Sequence, residues 1–106
     1  MHICARMFNP FWHAAVWQVA VVALPQCHWS DGSTIDLEEV AKVCQKHNIP
    51  LVLDLTQSVG MMPIDVRTLQ PAFLCASVHK WLLGPYGFRY GAVAQAYARI
   101  TTPTGI

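Results

Sequence analysis

The 106-residue chain is long enough for one domain and too short for two, since domains run from about 50 to 250 residues. Seven lysines and arginines against six aspartates and glutamates leave a formal charge of +1, which excludes the strong field that draws a protein to nucleic acid or to anionic membranes. With 54% apolar and 12% charged residues, the composition is far from disorder and carries more apolar surface than so small a body hides, so the chain reads as part of a larger core or as an obligate oligomer.

Residues 1–18 show neither alternation nor a helical period, although Phe8, Phe11, Trp12 and Trp17 make them strongly aromatic, and they remain an unassigned N-terminal segment. Arg6 followed by apolar residues 14–24 imitates a secretory signal, but His13 and Gln18 interrupt it and no small-residue cleavage site follows. Those eleven residues are also too few to span a bilayer, which takes roughly 20.

Residues 19–24 are an apolar run rich in β-branched side chains and closed by Pro25, which predicts a buried strand. The turn-forming cluster of residues 28–34 then leads to a helix. Asp36 is its expected cap, with Glu39 completing a capping box and Ile35 stapling onto Val40. Leu37, Val40, Ala41 and Cys44 share the inward face, Glu38 is expected to pair with Lys42 on the outward one, and Asn48 and Pro50 end the helix. Residues 51–55 read as a second strand, marked by a charged Asp54 near its end. A loop over residues 56–63 and a helical turn over residues 66–70 precede a third strand at residues 73–78. Apolar strands joined by crossovers of this length predict an α/β fold with a mostly parallel sheet and flanking helices, covered on both faces.

Cys4, Cys27, Cys44 and Cys75 are separated by 23, 17 and 31 positions, without the close pairs of zinc or redox motifs, so no metal site is expected. Three of them lie in apolar segments, which favours reduced thiols in a reducing compartment. His2, His13 and His47 read as structural or solvated, and the Trp and Met residues as core.

In an open parallel sheet, ligands bind beyond the carboxyl ends of the strands, where both Asp54 and the group Ser77, His79 and Lys80 are expected. With strands about 4.8 Å apart, an aspartate and a long lysine can grip opposite edges of one small aromatic ring, even with a strand between them. That suggests a pyridine cofactor. Trp81, Leu82 and Leu83 are expected to shield Lys80, favouring the neutral amine that condenses with an aldehyde. The aspartate would keep a ring nitrogen protonated, so that the ring withdraws electrons.

The stretches Asp54-Leu55-Thr56-Gln57-Ser58-Val59-Gly60 and Ser77-Val78-His79-Lys80-Trp81-Leu82-Leu83-Gly84-Pro85-Tyr86-Gly87, with 26 positions from Asp54 to Lys80, resemble the signature segments of class V aminotransferases. These are fold type I enzymes dependent on pyridoxal 5'-phosphate, related to cysteine desulfurases and kynureninases. The resemblance implies that Lys80 forms the Schiff base with the cofactor and that Asp54 partners the pyridinium nitrogen. It further implies that Gln57 bonds the phenolic oxygen and that Ser77 and His79 hold the phosphate. His28 stands near the cofactor where many relatives have an asparagine. The resemblance spans residues 19–90, part of the family's large domain, and residues 91–106 remain an unassigned tail. It implies an amino-acid substrate, a cytoplasmic setting and a homodimer in the complete parent, while charge and the short apolar run leave no nucleic-acid or membrane partner expected. The rival expectation is an inactive fragment or interaction piece that binds no cofactor.

Overall fold

A computed structural model describes residues 18–93. Strand β1 (Val22–Pro25), helix α1 (Leu37–Lys46), strand β2 (Leu51–Asp54), helix α2 (Val66–Leu69), strand β3 (Phe73–Ser77) and strand β4 (Arg89–Val93) follow in chain order. The sheet order is β1-β2-β3-β4, with the first two pairings parallel and the last antiparallel. The fold is thus mixed α/β with a mostly parallel sheet, as expected. The strands carrying Asp54 and leading to Lys80 are immediate neighbours, with no strand between them.

Helix α1 forms where its cap and period predict. Asp36, in extended backbone, accepts the Glu39 N–H at 3.1 Å, and Leu37, Val40, Ala41 and Cys44 are all buried. Its surface ion pair differs from expectation: Lys42 pairs with Glu39, one turn back at i−3, rather than with Glu38. The helix ends as Asn48 turns into left-handed backbone at φ 54°, which lets the Ile49 N–H return to the Cys44 carbonyl at 2.8 Å.

The parallel register aligns Val22 with Leu51, Leu24 with Leu53, and Leu53 with Leu74, so one row of alternate side chains faces α1. Leu53 and Leu55, at 0% and 1% exposure, sit at the centre of a core that also takes in Val22, Ala76 and Leu69 of α2. Among the described residues both helices pack on this face. The opposite face, with Val21 and Phe73 exposed, receives no helix from them, so the expected two-sided cover is seen on one side only.

Strand β4 lies outside the elements that the sequence predicts. Residues 89–93 carry two glycine-flanking aromatic and small side chains rather than a strong β pattern, and their strand state comes from pairing with β3 at Phe73↔Val93 through Ser77↔Arg89.

Candidate active site

The carboxyl ends of β1, β2 and β3 converge on one edge of the sheet, and the loops that follow them build the candidate site. After β2, Asp54 accepts the Thr56 N–H through Oδ1 at 3.0 Å, an Asx turn that starts two consecutive helical turns over residues 55–62. The Thr56 hydroxyl then accepts the backbone N–H of Ser77 at 3.0 Å, and the Leu55 N–H reaches the Cys75 carbonyl at 2.8 Å. These two bonds fasten the first signature segment to the end of β3, from which the second one departs.

Lys80 follows in a tight loop. The Leu83 N–H bonds the Lys80 carbonyl at 3.1 Å, and the Gly84 N–H bonds the Val78 carbonyl at 2.7 Å. The loop's backbone also presses on the turn after β2. A Cβ on Gly60, whose φ is +93°, would lie 2.6 Å from the Trp81 carbonyl oxygen, a contact only glycine permits. The apolar shield expected around Lys80 is absent. Lys80 is exposed, and Trp81, Leu82 and Leu83 are 48%, 36% and 90% exposed, in a loop where Leu83 takes a left-handed backbone at φ 54°. His79 lies under Tyr86, ring centroids 4.4 Å apart and planes within 17°.

His28 belongs to the loop after β1. Its Nδ1 receives the Ser30 N–H at 3.3 Å and stands 2.8 Å from Ser30 Oγ and 3.6 Å from Asp31 Oδ1. With Nδ1 accepting, the neutral ring carries its proton on Nε2 and offers it as a donor. Serine and aspartate meet the same nitrogen, so this trio cannot relay a proton across the ring as a nucleophilic triad does. The Asp31 carboxyl is held below the usual carboxylate range by the Ser33 N–H, which it accepts at 3.0 Å.

A hollow of about 340 Å³ lies between these loops, lined among others by His28, Trp29, Gln57, Met61, Met62 and Trp81. It brings His28 and Gln57 together and borders the Lys80 loop through Trp81. Asp54 and Ser77 stand outside its lining, on the sheet face turned away from α1. Trp29, Met61 and Trp81, read from the sequence as core, are 78%, 47% and 48% exposed and wall the hollow instead. Their position after strand ends was the signal that could have found them, because apolar side chains there meet the ligand edge rather than the core. A larger hollow of about 410 Å³ on the helix side is lined by Asp36, Glu38 and Asp65, but Asp36 and Asp65 are engaged in capping α1 and α2.

Cys75 faces the same way as its register partner Asp54, and burial, followed by the Asp54 charge, pushes its thiol up, with Arg89 acting in the opposite sense. Cys27, Cys44 and Cys75 are free thiols, no metal-binding cluster occurs among the described residues, and none of their helices is long and apolar enough to cross a membrane.

The comparisons with known proteins agree with this architecture. The family model described as aminotransferase class-V matches residues 12–94. The 2-aminoethylphosphonate–pyruvate transaminase of Aeromonas hydrophila is 36% identical over 79 residues, covering 74% of this chain and 21% of that protein. The apo structure of a cysteine desulfurase from Thermococcus onnurineus superposes with a TM-score of 0.73 at 27% identity, over 77% of this chain and 20% of that one. The ureidoglycine–glyoxylate aminotransferase of Bacillus subtilis, at 18% identity, shares the fold with a TM-score of 0.75 over 88% of this chain and 25% of that one. The chain therefore spans about a fifth to a quarter of the length of these relatives. With most of its length matched and its sheet superposable on theirs, the chain belongs to the class V aminotransferase family.

Proposed function

We propose that residues 19–90 form the cofactor-holding part of a pyridoxal-phosphate enzyme that acts on an amino acid, with Lys80 as the amine that bonds the cofactor and Asp54 as the partner of its ring nitrogen. The observation that carries this reading is the Thr56–Ser77 hydrogen bond, which fastens the two signature segments side by side at the ligand edge of the sheet. The residues fit the group. The exposed Asp54 carboxylate is held by one backbone N–H, which fixes its orientation and leaves acceptor capacity for a protonated ring nitrogen. The neighbouring hollow of about 340 Å³, which His28, Gln57, Trp29 and Trp81 line while Asp54 and Ser77 stand outside it, lies at the lower end of the roughly 300–1,000 Å³ typical of small-ligand clefts.

When bound, pyridoxal 5'-phosphate supplies an aldehyde for an amine and a ring that draws electrons from the α-carbon of an amino acid. Asp54 holds the ring nitrogen's proton. Gln57 and the Nε2–H of His28 donate to the ring's phenolic oxygen, and Ser77 and His79 orient the phosphate. Lys80 would hold or move the proton at the substrate's α-carbon. Transamination, desulfuration and side-chain hydrolysis would all draw on these residue roles. Among the described residues no cysteine has the mobile setting a desulfurase nucleophile needs: Cys44 is buried in α1, Cys75 is paired in β3, and Cys27 lies in a bridge to Thr34. In the complete protein we expect a cytoplasmic homodimer.

The test is to incubate the chain with pyridoxal phosphate, reduce with borohydride and map the product. A single pyridoxyl group on Lys80, lost in Lys80→Ala, is the expected outcome. No adduct, or adducts spread over the surface Lys42 and Lys46, overturns the reading in favour of a piece that binds no cofactor.

A further inference from the structure

Strand β4 brings a cation to the site that the signature segments do not contain. Arg89 is the direct cross-strand partner of Ser77 in the antiparallel β3–β4 pair, so the two side chains leave the same face, with Cβ atoms about 4.5–5.5 Å apart. Two residues back along β3, Cys75 stands on that face beside its partner Asp54. The face thus carries a carboxylate at Asp54, a hydroxyl at Ser77 and a guanidinium at Arg89, in that order towards β4. At a strand rise of about 3.3 Å per residue, the Cys75-to-Ser77 step is roughly 7 Å, the scale of one substituted ring. Cys75 lies electrostatically between the two charges, its thiol feeling Asp54 in one sense and Arg89 in the other. Arg89 is exposed, and no carboxylate among the described residues lies within ion-pair distance of it.

We propose that Arg89, together with the Ser77 hydroxyl, binds the phosphate of the cofactor. This rests on the cofactor reading above and adds to it a residue from outside both signature segments. The arrangement is complementary to a ligand that is cationic at a ring nitrogen and dianionic at the far end of a short arm, with Asp54 meeting the first charge and Arg89 the second. A guanidinium presents paired N–H donors to phosphate oxygens, which a stacked imidazole such as His79 under Tyr86 does less well.

The experiment compares pyridoxal phosphate with pyridoxal, which lacks the phosphate, on the full chain and on its Arg89→Ala and Arg89→Lys variants. Affinity is read from visible absorbance, adduct position from borohydride mapping, and folding from far-ultraviolet circular dichroism. Arg89→Ala is expected to weaken pyridoxal phosphate roughly ten- to a hundredfold and to leave pyridoxal within about twofold, with Arg89→Lys recovering part of the loss. If both ligands weaken alike, or neither does, while the wild-type chain still takes the adduct on Lys80, the inference is overturned and the cofactor reading stands. If the wild-type chain takes no adduct on Lys80, both fall together.

Discussion

At the scale of single residues, Gly60 and Trp81 bring the two signature segments into close backbone contact. An added Cβ at Gly60 meets backbone, 2.6 Å from the Trp81 carbonyl oxygen and 3.0 Å from its carbon, so relief requires moving the loop that carries Lys80. The positive φ of +93° adds strain for any side chain. Gly87 offers the contrast: its φ is +88°, yet nothing lies within 4 Å of its hypothetical Cβ. Gly60→Ala and Gly87→Ala are both expected to cost about 1–3 kcal/mol in urea unfolding. Gly60→Ala alone is expected to slow the trapping of pyridoxal phosphate on Lys80. Equal trapping rates in the two variants would show that the Gly60 contact does not position the lysine loop. Glycine at this position was legible in the motif, but its reason was not, because the partner backbone lies 21 residues further on.

At the scale of elements, legibility followed the range of the interactions that decide each one. Helix α1 was readable to its cap because the Asp36 bond to the Glu39 N–H and the burial of Leu37, Val40, Ala41 and Cys44 are settled within ten residues. Asp36→Ala is accordingly expected to cost about 1 kcal/mol of stability by removing that cap, with Asp36→Asn nearly neutral, as measured by thermal unfolding. A loss as large in the asparagine variant would mean that charge rather than the hydrogen bond carries the effect. Strand β4 lay beyond such reading, since Arg89, Tyr90 and Gly91 take their extended state from β3. The site divided the same way. The expectation for Asp54 and Lys80 rests on a family likeness carried by two short stretches of chain, each readable by itself. The hollow walled by Trp29, Met61 and Trp81 depends on three loops meeting, and hydrophobicity alone assigned those side chains to the core.

For the molecule as a whole, the asymmetry of the sheet decides where stability resides. The described residues build their core on one face, where Leu53 at 0% exposure is enclosed by both neighbouring strands and by α1. The other face presents Phe73 at 39% exposure with no helix from these residues against it. A buried leucine truncated to alanine costs about 2–5 kcal/mol, because the cavity collapses only in part. Against a typical total of about 5–15 kcal/mol, Leu53→Ala is expected to remove a large share of the stability and to lower the urea midpoint accordingly. Phe73→Ala removes a larger side chain but forfeits only the area it has buried, so it is expected to cost about 1–2 kcal/mol. Urea unfolding of the two variants beside the parent chain measures the contrast directly. A Phe73→Ala loss equal to that of Leu53→Ala would mean that the second face is covered in solution, by the remainder of this chain or by another copy. The ligand edge would then be braced from both sides, as the fold type requires of a parallel sheet.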